Sequence, residues 1–164
     1  MKYLNIIWKI NGMFCKIIYS IIYRNKLFWG KNGRKIGFRN RFKLIIENGG
    51  RLEIGDGCFF NYDCSISCLG HIRIGENCIF GENVKIYDHN HIYKDKDKLI
   101  KEQGFKIGEV IIGNNVWIGS NVVILNNVTI GDNVIIGSNC LIYKSVESNT
   151  VVKNKVELVK ENIY

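Results

Sequence analysis

The sequence predicts an all-β chain wound as a parallel β-helix, a triangular prism with an N-terminal helical segment and one extruded loop. Three observations carry this reading. An aliphatic or aromatic residue returns at every sixth position between Ile54 and Val146, with two interruptions, and is usually followed by Gly. A small or β-branched residue stands two positions before most of these, and Asn-rich pairs separate the repeats. A helix requires apolar spacing near 3.6 and an ordinary sandwich spaces its turns every eight to twelve residues, so neither produces a strict six. Short strands joined by tight turns, three per coil of about 18 residues, do produce it.

Taken in order, residues 1–32 form the N-terminal segment. Leu4, Ile7, Trp8, Ile10, Phe14, Ile17, Ile18, Ile21 and Ile22 follow a roughly helical spacing broken by Gly12, with lysines at 2, 9 and 16. Those lysines interrupt the run of about 20 apolar residues that a bilayer crossing needs. No small-residue cleavage site follows, so a secretory leader is not expected either. Two readings stand for this segment. One is a helix covering the open end or a flank of the prism; the other is an interfacial anchor, a peripheral membrane association with Trp8, Phe14, Phe28 and Trp29 in the headgroup zone and the Arg24 to Lys43 cluster on anionic lipid.

Residues 33–147 form the prism. Its first coil, 33–53, is irregular, with Ile36, Phe42, Leu44, Ile46 and Leu52 as inward candidates and Asn48-Gly49-Gly50 as a turn. The register then runs through Ile54, Phe60 and Ile66, slips by two residues to Ile74, Phe80 and Ile86, and after a long break continues from Ile112 through Ile118, Ile124, Ile130 and Ile136 to Ile142. The second inward column is Cys58, Cys64, Cys78, Val84, Val116, Val122, Val128, Val134, Cys140 and Val146. Asn114-Asn115, Asn126-Asn127, Asp132-Asn133 and Ser138-Asn139 supply left-handed turn chemistry. Residues 148–164 leave the register and are expected to cap the last coil.

Composition supports one such unit: 164 residues with 46% hydrophobic content suffice for one continuous core. Four of the six cysteines occupy inward small-residue positions, which reads as reduced thiols in a cytoplasmic protein, at the inner face of the membrane if the anchor reading holds. No Cys-x-x-Cys pair exists, so no metal is expected. The net charge of +8 is concentrated early, at Arg24, Lys26, Lys31, Arg34, Lys35, Arg39, Arg41 and Lys43, and favours anionic partners. Neither an RNA-binding aromatic motif nor a helix-turn-helix signature is present, so nucleic acid is not an expected partner.

In a solenoid the register is structural, and departures from it mark function. The larger departure, residues 87–109, must be an external loop, and it begins with Asp88-His89-Asn90-His91. A histidine at a rigid coil edge beside a mobile loop is placed to act as a general base, because imidazole titrates near neutral pH. Asp88 and Asp95 are the candidates to orient it.

The stretch Ile112-Gly-Asn-Asn-Val-Trp-Ile-Gly-Ser-Asn-Val-Val-Ile124, with Val128-Thr-Ile-Gly-Asp-Asn133, resembles the bacterial hexapeptide-repeat acyltransferases of left-handed β-helix fold. Asp88-His89-Asn90-His91 and the loop after it are similar to capsular and lipopolysaccharide sugar O-acetyltransferases, with galactoside and maltose acetyltransferases as further relatives. The resemblance covers about residues 54–147. It implies a homotrimer with sites in the clefts between prisms, acetyl-CoA as co-substrate, a saccharide acceptor and direct acetyl transfer without an acyl-enzyme.

Carried over by position, the resemblance implies His91 as the base, seven residues after Val84, with His89 second and Asp88 as a catalytic partner. It places Trp117 beside the acetyl group or acceptor and Asn61 at the acceptor. It places Gly119, Ser120, Gly137 and Ser138 along the pantetheine arm and Lys144 near the CoA phosphates, and it points to a backbone N–H near Gly119 as the oxyanion donor. The chain departs from the family in containing no proline: Asn149-Thr-Val-Val-Lys-Asn-Lys155 stands where relatives commonly close with Gly-x-Pro-Ala-Lys. Rival readings are an N-acetyltransferase of an amino sugar nucleotide, antibiotic O-acetylation, a γ-type carbonic anhydrase using His71 and His89, and a non-enzymatic trimeric scaffold.

Overall fold

The computed structural model describes residues 13–31, 35–47, 49–155 and 160. Leu4, Ile7, Trp8, Ile10 and Gly12 of the N-terminal stripe, Arg34 of the basic cluster, Asn48 of the expected turn, and residues 156–159 and 161–164 lie outside them.

Strands that recur at a fixed interval stack in register, and three parallel sheets result. The first face comprises Leu27–Trp29, Arg51–Ile54, His71–Ile74, Glu109–Ile112 and Val128–Ile130. The second comprises Gly37–Phe38, Phe59–Phe60, Ile79–Phe80, Trp117–Ile118, Ile135–Ile136 and Val151–Val152. The third comprises Lys43–Ile46, Ser65–Cys68, Lys85–Tyr87, Val123–Ile124 and Leu141–Ile142. Successive chain segments visit the three faces in turn, which is the left-handed β-helix prism. Both inward columns are buried from Ile54 to Ile142, leaving only Val146 partly exposed. At the N-terminal end the core is aromatic: Phe60 stacks between Phe38 at 5.4 Å and Phe80 at 4.4 Å.

The corners follow from the asparagines. Asn77, Asn83, Asn115, Asn121, Asn127, Asn133, Asn139 and Asn149 all have φ between 54° and 62°, the left-handed region that Asn tolerates better than other side chains. Several also bond along the stack, as Asn115 Nδ2 does to Asn133 Oδ1 at 2.9 Å and Asn133 Nδ2 to Asn149 Oδ1 at 3.1 Å. The five cysteines of the prism are buried, and thiols among them donate to carbonyls of the neighbouring coil: Cys58 to Gly75 at 3.0 Å and Cys64 to Gly81 at 3.1 Å.

The stack is longer at both ends than the 33–147 boundaries. Leu27–Trp29 already pairs with Arg51–Ile54, and Val151–Val152 pairs with Ile135–Ile136. Residues 13–22 are helical and seal the open edge of the third face. Tyr19 and Tyr23 hydroxyls donate to the Phe42 and Leu44 carbonyls at 3.0 and 3.1 Å, and Trp29 Nε1 donates to Ser20 Oγ at 2.8 Å. An edge whose carbonyls are capped by side chains offers no template for another strand. Among the described residues, no helix is long and apolar enough to cross a membrane.

Candidate active site

Two interruptions of the six-residue register meet at one corner. Ser65–Cys68 is lengthened, and the surplus residues Leu69 and Gly70 make a turn between the third and first faces. One coil later, at the same corner, the chain departs at Asp88 and returns at Gly108. Ile74 therefore pairs with Ile112, 38 residues on, where Ile112 pairs with Ile130 after 18.

Asp88 joins the two breaks. Its carboxylate is fully buried and accepts the Leu69 N–H at 2.9 Å and the Gly70 N–H at 2.8 Å. Its backbone carbonyl accepts the Gly108 N–H at 2.7 Å, which closes the root of the loop. The same carboxylate lies 2.9 Å from His89 Nδ1. An ionised carboxylate only accepts, so Nδ1 carries the proton and Nε2 is left as the basic nitrogen.

The extruded segment is built on a two-stranded hairpin. His89–His91 pairs antiparallel with Phe105–Ile107, with His91 opposite Phe105. A short 3-10 turn at Ile100–Glu102 follows the tip, where the Gln103 side chain bonds Asp95 N, Asp95 O and Lys98 O. Asp95 pairs with Lys98 at 3.2 Å, so the expectation that it orients a histidine is corrected. Phe105, which the sequence did not single out, packs edge-on against His89 at 5.2 Å and tilted against His91 at 4.5 Å. His89 is mostly enclosed, whereas His91 is exposed and lines an open groove of about 410 Å³ with Asn90, Tyr93, Lys94, Lys106 and Asn126. Asn90 Nδ2 ties the arm to Asn126 Oδ1 on the next coil at 2.9 Å. Lys144 belongs to this corner too, with Nζ 5.6 Å from the centre of the Tyr143 ring.

The other sequence-picked residues occupy a different corner, between the second and third faces. Asn61 follows Phe59–Phe60, Gly119-Ser120 follows Trp117–Ile118, and Gly137-Ser138 follows Ile135–Ile136, one above another. Asn61 Oδ1 accepts the Tyr62 N–H at 2.9 Å. Trp117 points outward at 54% exposure in a column with Ile79, Ile135 and Val151, an apolar ladder that the inward register did not reveal. The chain thus brings Asp88, His89 and His91 together, and keeps them a corner away from Trp117 and Asn61.

The glycines have a cause the sequence did not disclose. A Cβ on Gly119 would stand 2.6 Å from Ser138 N, so the close approach of adjacent coils itself demands glycine there. The Gly119 N–H already donates to Ile136 O at 2.7 Å and the Ser120 N–H to Ser138 Oγ at 3.2 Å. Both hydrogens are thus committed to the stack, and neither Gly119 nor Ser120 offers a free backbone N–H.

The third histidine, His71, lies on the first face, with Nε2 3.3 Å from Glu53 and Nδ1 3.8 Å from Glu109. Its partners are not those of His89, and among the described residues no group of three or more His, Cys, Asp or Glu is arranged to hold a metal. Burial pushes the Cys64 thiol up to about 11, which makes it a neutral core group and a poor nucleophile.

Residues 109–144 match the family model described as bacterial transferase hexapeptide (six repeats). A maltose O-acetyltransferase from Clostridium difficile 630 is 32% identical, with a TM-score of 0.66 over 87% of this chain and 73% of that one. The chain belongs to the hexapeptide-repeat acetyltransferases. The acetyltransferase is also similar to a hexapeptide-repeat acetyltransferase from Vibrio cholerae O1 biovar eltor complexed with acetyl coenzyme A, at 25% identity and a TM-score of 0.66 over 81% and 69% of the two chains. A galactoside acetyltransferase in complex with coenzyme A is 28% identical at a TM-score of 0.66, covering 80% of the acetyltransferase and 62% of the galactoside enzyme. An N-acyltransferase from Bacillus cereus at 16% identity shares the fold. No curated protein matches the sequence of the acetyltransferase.

Proposed function

We propose that this protein transfers acetyl from acetyl-CoA to a sugar hydroxyl of a cell-surface polysaccharide or its precursor, as a homotrimer, with His91 as general base. The observation that carries this is the imidazole of His91 exposed beside a groove on an arm whose root Asp88 fastens to the preceding coil. The 32% identity to a maltose O-acetyltransferase supports a sugar hydroxyl as acceptor.

The trimer is supported by where the groups lie. Trp117, the apolar ladder and Asn61 occupy one side of the prism and His91 another corner, so a neighbouring copy would supply the missing half of each cleft. The outward ladder of Ile79, Trp117, Ile135 and Val151 offers an apolar wall for the pantetheine arm. Gly119, Ser120, Gly137 and Ser138 keep the adjoining corner low, and Lys144 would face the phosphates.

In the reaction, His91 takes the proton of the acceptor hydroxyl as its oxygen attacks the acetyl carbonyl. The tetrahedral intermediate collapses with cleavage of the C–S bond, and the imidazolium returns the proton to the departing CoA thiolate. Such general-base assistance is worth about 10²–10⁴-fold, and the remainder comes from holding both substrates in one cleft. The Asp88–His89 contact favours a second reading in which His89 Nε2 is the base and His91 binds the acceptor.

The test is turnover of acetyl-CoA with a panel of saccharides, with products read by mass and by loss of the acetyl group in mild alkali, which removes esters and spares amides. His91→Ala should lower turnover by at least about 100-fold while acetyl-CoA affinity is retained. If His89→Ala has that effect and His91→Ala does not, the second reading replaces the first. An alkali-stable product would reassign the enzyme to N-acetylation.

A further inference from the structure

The helix at residues 13–22 is oriented opposite to an ordinary surface helix. Met13, Phe14, Ile17, Ile18, Ile21 and Ile22 are between 49% and 72% exposed. Cys15, Lys16, Tyr19 and Ser20 form the half-buried side against the prism. The spacing i, i+1, i+4, i+5, i+8, i+9 makes one continuous stripe of large apolar side chains that faces water. The hydrogen bonds from Tyr19 and Tyr23 to the Phe42 and Leu44 carbonyls, and from Trp29 to Ser20, hold the helix in this orientation. A contiguous exposed patch of this kind marks a surface that meets another.

The charge around it says which. The chain carries eleven Lys and Arg residues before Glu47, its first acidic residue, and beyond that point acids outnumber bases by three. Eight of the eleven, from Lys16 to Lys43, are among the described residues and lie on the helix or on the first coil beside it. A second copy seated on this face would set two such clusters against each other, which repel. An anionic bilayer satisfies both features, taking the apolar stripe into the acyl boundary and the cations among its headgroups. We propose that the helix at 13–22 is a foot by which the protein lies on an anionic lipid surface without crossing it. The proposal stands independently of the acetyl-transfer reading, because it rests on residues 13–22, which take no part in that site.

Co-sedimentation of the full chain with vesicles tests it. The protein should bind vesicles of phosphatidylcholine and phosphatidylglycerol in equal parts, bind pure phosphatidylcholine far less, and release as salt is raised. The double variant Ile17→Asn/Ile21→Asn should lose about tenfold or more of that binding, whereas Leu141→Asn, at another exposed apolar site, should bind as the parent does. Because the altered side chains already face water, the double variant should melt with the parent; if it does not, Met13→Gln/Ile22→Gln carries the same comparison. No binding to the mixed vesicles, or equal binding by the variants, overturns the proposal. So does a lipid-free variant that sediments as a smaller assembly, which would make the stripe an interface between copies.

Discussion

Replacing Asp88 with alanine should destabilise the prism at the corner where its two register breaks meet. The substitution removes the acceptor from the Leu69 N–H at 2.9 Å, the Gly70 N–H at 2.8 Å and His89 Nδ1 at 2.9 Å. Each enclosed donor left without a partner costs about 1–3 kcal/mol, so the two backbone amides together cost about 2–6 kcal/mol, less whatever a water entering the vacated space restores. For a domain of this size about 1 kcal/mol moves Tm by about 2–4 °C, so a fall of about 4–24 °C is expected, at the lower end if a water fills the space. Asp88→Asn keeps one acceptor oxygen and most of the volume, but turns an amide NH2 towards a donor, and should lose roughly half as much. The assay is thermal unfolding by circular dichroism, together with hydrogen exchange at the Leu69 and Gly70 amides, whose protection should collapse first. Asp63→Asn, which removes the charge from the exposed Arg41–Asp63 pair but keeps a side chain that tolerates the φ of 62° at that position, is the control and should barely move Tm. An Asp88→Ala protein that melts within about 1 °C of the parent, with both amides still protected, would show that the carboxylate does not fasten the loop.

Gly119→Ala should cost about 1–3 kcal/mol, read as a lower denaturant midpoint, because its Cβ would meet Ser138 N at 2.6 Å and two coils would have to part. In thiol labelling of the native protein, half-buried Cys15 should react first and the five buried cysteines only on unfolding; a second fast thiol would contradict the inward columns. The hydrogen bond from Arg51, aided by His71, holds the Glu53 carboxyl below its ordinary 4.5. Its contribution is therefore present above that value and is lost as pH falls towards the folded value, so Glu53→Gln should flatten the acid side of the Tm–pH curve. An unchanged acid slope would count against the pair.

Much of the fold was legible because a β-helix is nearly one-dimensional. Each inward residue touches its counterparts in the coils above and below, so a six-residue period in the chain becomes a column in space. Ile112 to Ile142 and their Val and Cys partners are buried as the register requires, and the αL asparagines stand where the turn pairs were read. The ends were harder to read. Leu27–Trp29 and Val151–Val152 join the stack although neither obeys the period, since pairing with an existing edge suffices to recruit them.

The candidate site divides along the same line. The break at Asp88-His89-Asn90-His91 was visible because the period stops there. That Asp88 reaches back to Leu69 and Gly70 was not, since the partners are backbone amides and carry no side-chain signature. Phe105 was equally hidden: its contact with both histidines comes from antiparallel pairing across the hairpin, a register that the linear pattern does not encode. Gly119 looked like room for a ligand until the 2.6 Å approach of Ser138 supplied another reason. By itself, then, the sequence determined the prism, its core and the place where function departs from repetition, because those depend on local period and on stacking of like on like. The tertiary structure alone decided how the loop is fastened, which histidine is enclosed and which exposed, and which face of the N-terminal helix meets water, because each of these is set by contacts between residues that no repeat relates.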